Sequence, residues 1–244
     1  MAAAVFHLRR ELATHWMAIQ ASFSRMRKEV QVKPPGPDDA FSVHPVDDVT
    51  FRIDVQPVAF FLPEKPSHGQ PDLYVVMSGS LTVIRDESAY PTNWLTTSYA
   101  TRVGYFKVRS GRQENTLRHV FGVHYDHDEE LPGHPVFHSQ MSSQRQLVGG
   151  LTSHFRLPSQ ITDDIPTWLL GNVRIPTAQM DPFSVITQLG ADHLCGDGRD
   201  AANRELTKLR AACDFVRGRA DSLPFLNAGI APQCYRSTHW YTRS

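Results

Sequence analysis

Cysteine is scarce in this chain. Cys195, Cys213 and Cys234 are the three in 244 residues, spaced roughly 20 apart, with no Cys-x-x-Cys pair among them. An odd, sparse set excludes a disulfide framework and fits a reducing compartment. The paired spacing of a structural zinc site is missing as well. Net charge is also lacking, since 25 Lys and Arg balance 25 Asp and Glu. That balance excludes a strongly basic nucleic-acid coat or an acidic tail, and leaves only a local patch open. No window approaches the ~18 apolar residues of a membrane span. At the N-terminus, Met1-Ala-Ala-Ala-Val-Phe precedes His7, Arg9 and Arg10, the reverse of a signal peptide. A soluble, cytoplasmic protein is therefore expected, with no membrane partner. There is no internal repeat and no low-complexity run.

Familiar catalytic motifs are absent too. Gly196-Asp-Gly198 has no following Gly-Lys-Ser/Thr and no Rossmann spacing around it. No Gly-x-Ser-x-Gly elbow exists, and no cysteine sits in a catalytic context. Gly149-Gly150 reads as a turn or bulge, and Ser142-Ser143-Gln144-Arg145 as an exposed polar turn. His154, His193 and His239 lack partners in sequence and read as structural.

What is present is ordinary globular composition, 41% apolar and 20% charged, in a chain long enough to bury a core unaided. Val5, Leu8, Leu12, Trp16, Ile19, Phe23 and Met26 recur at three- and four-residue steps. That stripe predicts an amphipathic helix over residues 3–30. Its other face carries Arg9, Arg10, Arg25, Arg27 and Lys28 against Glu11 and Glu29, and suits a protein partner or nucleic acid. Lys33-Pro-Pro-Gly-Pro-Asp-Asp then breaks the helix, so residues 31–48 read as a stiff connector.

From 49 to 157 the period becomes two. Phe51, Ile53 and Val55 alternate with Arg52, Asp54 and Gln56, a half-buried strand. Pro57 confines that strand to an edge or forces a bulge. Leu73–Met77 and Leu81–Ile84 follow, with Ser78-Gly79 read as a hairpin turn between them. Further strands are expected at Ser98–Val108, Thr116–Asp126, Val136–Met141 and Leu151–Leu157, which together imply an antiparallel sheet. Asp181-Pro182 is an N-cap with proline at the first helical position. The stripe Phe183, Ile186, Leu189, Leu194 ends at Cys195-Gly-Asp-Gly198. A second helix spans Asp200 to Arg219. The expectation is one α+β domain over residues 1–244: an antiparallel sheet preceded by a long amphipathic helix and followed by two C-terminal helices, with a helical part over 165–244.

The densest set of functional side chains is His124-Tyr-Asp-His-Asp-Glu-Glu, then His134-Pro-Val-Phe-His138. Strict alternation puts Leu117, His119, Phe121, Val123 and Tyr125 on one strand face, and Val120, Gly122, His124 and Asp126 on the other. A hairpin closed by residues 127–133 brings His124, Asp126 and His138 together, with Asp128 and His134 at the loop. Such imidazoles and carboxylates suit Zn, Mn or Fe, or general acid/base work. In that reading His124, Asp126 and His138 are catalytic, and Asp128, His134 and His138 are ligands to a divalent metal. The bland alternative is a polar loop whose Asp and His cap turns.

Tyr125-Asp126-x-Asp128, His134-Pro135 and His138, followed by Arg174-Ile175-Pro176 and Pro182-Phe183, resemble a segment of an uncharacterised bacterial domain-of-unknown-function family of 2290 type. The resemblance covers residues 124–194 and departs in having His124 where the family pattern has Arg. It implies a shared fold and an accessory role near mobile or defence genes, and no particular reaction. Two functions follow. The first is a protein that binds a protein partner, a second copy of itself or nucleic acid through its first helix. The alternative is a metal-dependent hydrolase or nuclease using the cluster at 124–138. Geometry discriminates them: the enzyme needs three of those side chains within reach of one ion.

Overall fold

The computed structural model describes residues 2–62, 72–86, 93–109, 116–127, 137–151, 161–163, 173–177, 179–195 and 200–218. The chain opens with helix α1 (Ala2–Met26). Three short elements follow, β1 (Gln31–Lys33), a helical turn α2 (Pro37–Ala40) and β2 (Phe41–Pro45), and then the long β3 (Thr50–Leu62). Three more long strands come next, β4 (Leu73–Arg85), β5 (Trp94–Arg109) and β6 (Thr116–His127). Then come β7 (Phe137–Met141), a 3-10 helix (Arg145–Leu151), β8 (Ile161–Asp163) and β9 (Arg174–Pro176). Helix α3 (Pro182–Leu194), helix α4 (Asp200–Cys213) and β10 (Arg217–Gly218) close the described chain.

The architecture is α+β. The strands form a sheet in the order β1-β3-β4-β5-β6-β7-β9, with β2 also on β3, β8 on β6 and β10 on β5. Neighbours along that order pair antiparallel; β8 and β10 add parallel. One face carries the main core. Leu8, Leu12, Trp16, Ile19 and Phe23 of α1 are all but fully buried and belong to the cluster that holds Phe51, Phe60, Val75 and Met77 of the sheet. Phe183 of α3 and Leu209 of α4 join the same cluster. Each side chain buried this way contributes on the order of 1.5–3 kcal/mol by leaving water. The opposite face has a smaller core, where Leu147, Val148 and Leu151 of the 3-10 helix cover Ala59, Val76, Phe106 and Leu117.

Several expectations are corrected. The first helix ends at Met26 rather than 30; Val30 is buried, but in the turn leading to β1. The connector contains β1, α2 and β2, because its apolar residues Ala40, Phe41 and Val43 reach the core. Ser78-Gly79 is no hairpin turn: β4 runs straight through it. Gly79 stands where the next strand's backbone comes close, so that a Cβ there would strike the Ala100 carbonyl oxygen. Pro57 sits at a register shift between Val55 and Val58, and β3 keeps partners on both sides. Gly149-Gly150 lies within the 3-10 helix, which ends at Leu151; the remainder of the expected strand Leu151–Leu157 lies outside the described residues. The last helix stops at Cys213 rather than Arg219, because residues 217–218 leave it to pair with β5. The helical part over 165–244 also contains β9, which pairs with β7.

Asp181 caps α3 as its sequence implies. Its carboxylate accepts from Phe183 N (2.9 Å) and Ser184 N (3.2 Å), with Pro182 at the first helical turn. Among the described residues, no helix is long and apolar enough to cross a membrane.

Candidate metal centre

The site is built on the β6–β7 pair. Antiparallel register sets Asp126 opposite His138 and His124 opposite Gln140. Cross-strand partners and residues two apart on a strand share a face, so His124, Asp126 and His138 point to the same side. That side is the one opposite the main helical core. Phe137, Val123 and Tyr125, the intervening residues, pack into the main core instead.

The alternation does not hold along all of β6. Register shifts between Tyr105 opposite Phe121 and Phe106 opposite His119, which leaves Val120 as an extra residue in β6. Leu117 and His119 therefore face the smaller core beside Phe106, while Phe121, Val123 and Tyr125 face the helices. The expectation that all five share one face is overturned by this bulge. Its effect is to bring His119, fully buried, onto the side of the His/Asp cluster.

The cluster is close-set. His124 Nε2 lies 2.9 Å from Asp126 Oδ2, and His138 Nε2 lies 3.9 Å from the same oxygen. One donor atom from each of the three residues lies within 4.8 Å of the others. Zinc–nitrogen bonds of 2.0–2.1 Å place donors about 3.3 Å apart around a tetrahedral ion, so the set closes on one with a small adjustment. His138 is the inner wall, with its side chain 3% exposed; His124 and Asp126 are 23% and 34% exposed and leave the outer side open to solvent.

Burial opposes ionisation of Asp126, but the hydrogen bond from His124 and the charges of His124, His138 and Arg102 outweigh it. Its carboxyl is held below the ordinary carboxylate range, and it stays an anionic donor. Arg102, exposed on β5, stands directly opposite His124.

A third segment reaches the cluster. Ser142 Oγ lies 3.4 Å from His124 Nδ1, and Gln144 Nε2 donates to the same hydroxyl at 2.6 Å. Gln146 Nε2 in turn donates to Gln144 Oε1 at 3.2 Å. Gln144 is 3% exposed and Ser142 and Ser143 are half-buried, so within residues 142–145 Arg145 alone is exposed as their polarity predicts. The glycine pair Gly104 and Gly122 explains why. These are cross-strand partners, and a Cβ on Gly122 would strike the Ser142 carbonyl, while one on Gly104 would press on Phe106 and Gln144. Two missing side chains thus open a lane across the sheet in which residues 142–144 lie, fixed by Ser142 N donating to Gly122 O at 3.0 Å.

Of the other expected site residues, Asp128 and His134 lie outside the described residues. Arg9, Arg10, Arg25 and Lys28 of the first helix and the turn after it are exposed, and Arg27 is half-buried. Arg25 lies 3.9 Å from Glu205 of α4, and Arg27 lies 3.5 Å from Glu29. Compared with protein-family models, with curated proteins and with solved structures, the chain matches none.

Proposed function

We propose that this protein is a divalent-metal-dependent hydrolase whose ion is held by His124, Asp126 and His138. The observation that carries the reading is the convergence of two imidazoles and one carboxylate on a single sheet face, inner side buried and outer side open. Mixed nitrogen and oxygen donors suit Zn, Mn or Fe. Three protein ligands would leave a position for water, which a zinc ion held there would acidify to a pKa of about 7. One carboxylate against one dication leaves the site a net positive charge, and Arg102 adds a second cation beside it. That excess favours an anionic substrate, and a phosphodiester above all.

The interaction reading receives less support. Two of its five cations, Arg25 and Arg27, are already drawn into ion pairs, which weakens the basic face it relies on.

The test is hydrolysis of an activated phosphodiester by chelator-stripped protein, with Zn, Mn or Fe(II) added back. Activity is expected to return with one of these ions, and to fall by about 100-fold or more in His138→Ala and Asp126→Asn. Activity indifferent to chelation and to both substitutions would sink the reading.

A further inference from the structure

We propose that Ser142 and Gln144 form a positioning arm that holds the His124 ring in the orientation and tautomer required of a metal ligand. The inference rests on the metal reading above, and adds residues from a segment the His/Asp pattern does not include.

The two ring nitrogens of His124 face different partners. Nε2 points at the Asp126 carboxylate, and Nδ1 points at the Ser142 hydroxyl. An ion at Nε2 would take the place of the proton that this nitrogen donates to Asp126, and the remaining ring proton would sit on Nδ1 and donate outward. Ser142 Oγ supplies the acceptor. A hydroxyl has two lone pairs; Gln144 occupies one, which orients the oxygen, and leaves the other for Nδ1–H. Gln144 is buried and its carbonyl oxygen is itself engaged by Gln146, so its amide is oriented with the NH2 toward Ser142. The backbone bond from Ser142 to Gly122, two residues before His124 on β6, ties the arm to the strand it serves. Gly104 and Gly122 provide the room. The links from Gln146 to Gln144 and from Gln144 to Ser142 run one way, and they end beside the nitrogen away from the ion.

The same geometry, Asp126–His124–Ser142, also resembles an activated serine. In that case the Ser142 hydroxyl would donate to Nδ1 and attack a substrate. The hydroxyl's engagement by Gln144 and its place in the backbone lane favour the acceptor role instead.

Cobalt(II) is the probe, because its visible absorption reports ligand number and geometry as well as affinity. Wild-type protein, Ser142→Ala, Ser142→Thr and Gln144→Met are titrated with Co(II) in parallel. Ser142→Ala is expected to bind about 10–100-fold more weakly with altered absorption bands, as loss of an outer partner does to a ligating histidine. Ser142→Thr, which keeps the hydroxyl, is expected to restore the wild-type spectrum, and Gln144→Met to shift it in the same direction as Ser142→Ala. Binding and spectrum unchanged in Ser142→Ala would overturn the arm while leaving the metal reading intact. No Co(II) uptake by the wild type would overturn both. Covalent labelling of wild-type Ser142 by a fluorophosphonate would overturn the arm in favour of the nucleophile. If Ser142→Ala does not fold, Ser142→Cys, close in size with a weak acceptor, replaces it with the same expected loss.

Discussion

Two buried or half-buried groups show how surroundings set chemistry one residue at a time. Asp126 keeps its charge because His124, His138 and Arg102 surround it, and that charge is what makes two histidines into a metal set. Cys213 is the opposite case. Burial pushes its thiol up to about 12, the Asp181 charge adds to the shift, and a hydrogen bond with Thr187 only partly offsets it. A thiol held neutral in the fold stabilises it fully below the ordinary value of 9.0, and this contribution is lost as pH rises from there towards about 12. Alkylation at pH 8, followed by mass spectrometry, is expected to leave Cys213 unmodified in the native protein and to modify it readily in urea. Rapid native modification would contradict the burial. At this scale the sequence was informative wherever the cause was local. Asp181-Pro182 could be read as a cap because its partners, Phe183 and Ser184, are two and three residues away. Ser142 and Gln144 could not, because what turns them inward is Gly104 and Gly122, some 20 to 40 residues back in the chain.

The strands and helices were legible from period, and their ends and irregularities were not. His124 and Asp126 were expected to share a face with His138, and they do, because nothing interrupts the alternation between residues 121 and 127. Just before residue 121 the bulge at Val120 reverses it, and no turn residue at that point announces the reversal. Ser78-Gly79 misleads for the converse reason: it has turn chemistry, yet its glycine serves a close approach between strands. The lane made by Gly104 and Gly122 gives a prediction at this scale. Gly122→Ala forces the Ser142 carbonyl aside, and is expected to cost about 1–3 kcal/mol in urea unfolding, as overpacking does. It should also weaken metal binding, since the displaced segment carries Ser142. Unchanged stability in that variant would mean the lane is not as tight as its geometry shows.

Among the described residues, the helices gather on one face of the sheet and the His/Asp set stands on the other. α1, α3 and α4 all pack on the same side, and the main core lies there with Trp16, Phe23, Phe60 and Phe183. Among the described residues, the other side carries the 3-10 helix and its small cluster, set around Phe106 and Leu117. The His/Asp set lies on this lightly covered side, further along β6, where a polar cluster keeps contact with water. The order of helix, strands and helices along the sequence announced the α+β class; the strand order was beyond it. β1 and β2 both pair with β3, and β8 and β10 add in parallel, choices made by long-range packing that no local pattern encodes. The proposed chemistry turns on whether the three donors hold an ion. Elemental analysis of the purified, untagged protein, equilibrated with Zn, Mn and Fe(II) in turn and compared with His138→Ala, tests it most directly. Near one equivalent of metal in the wild type, lost in His138→Ala with the fold unchanged by circular dichroism, is the predicted result. No retained metal from any of the three ions, or equal retention in His138→Ala, would contradict it.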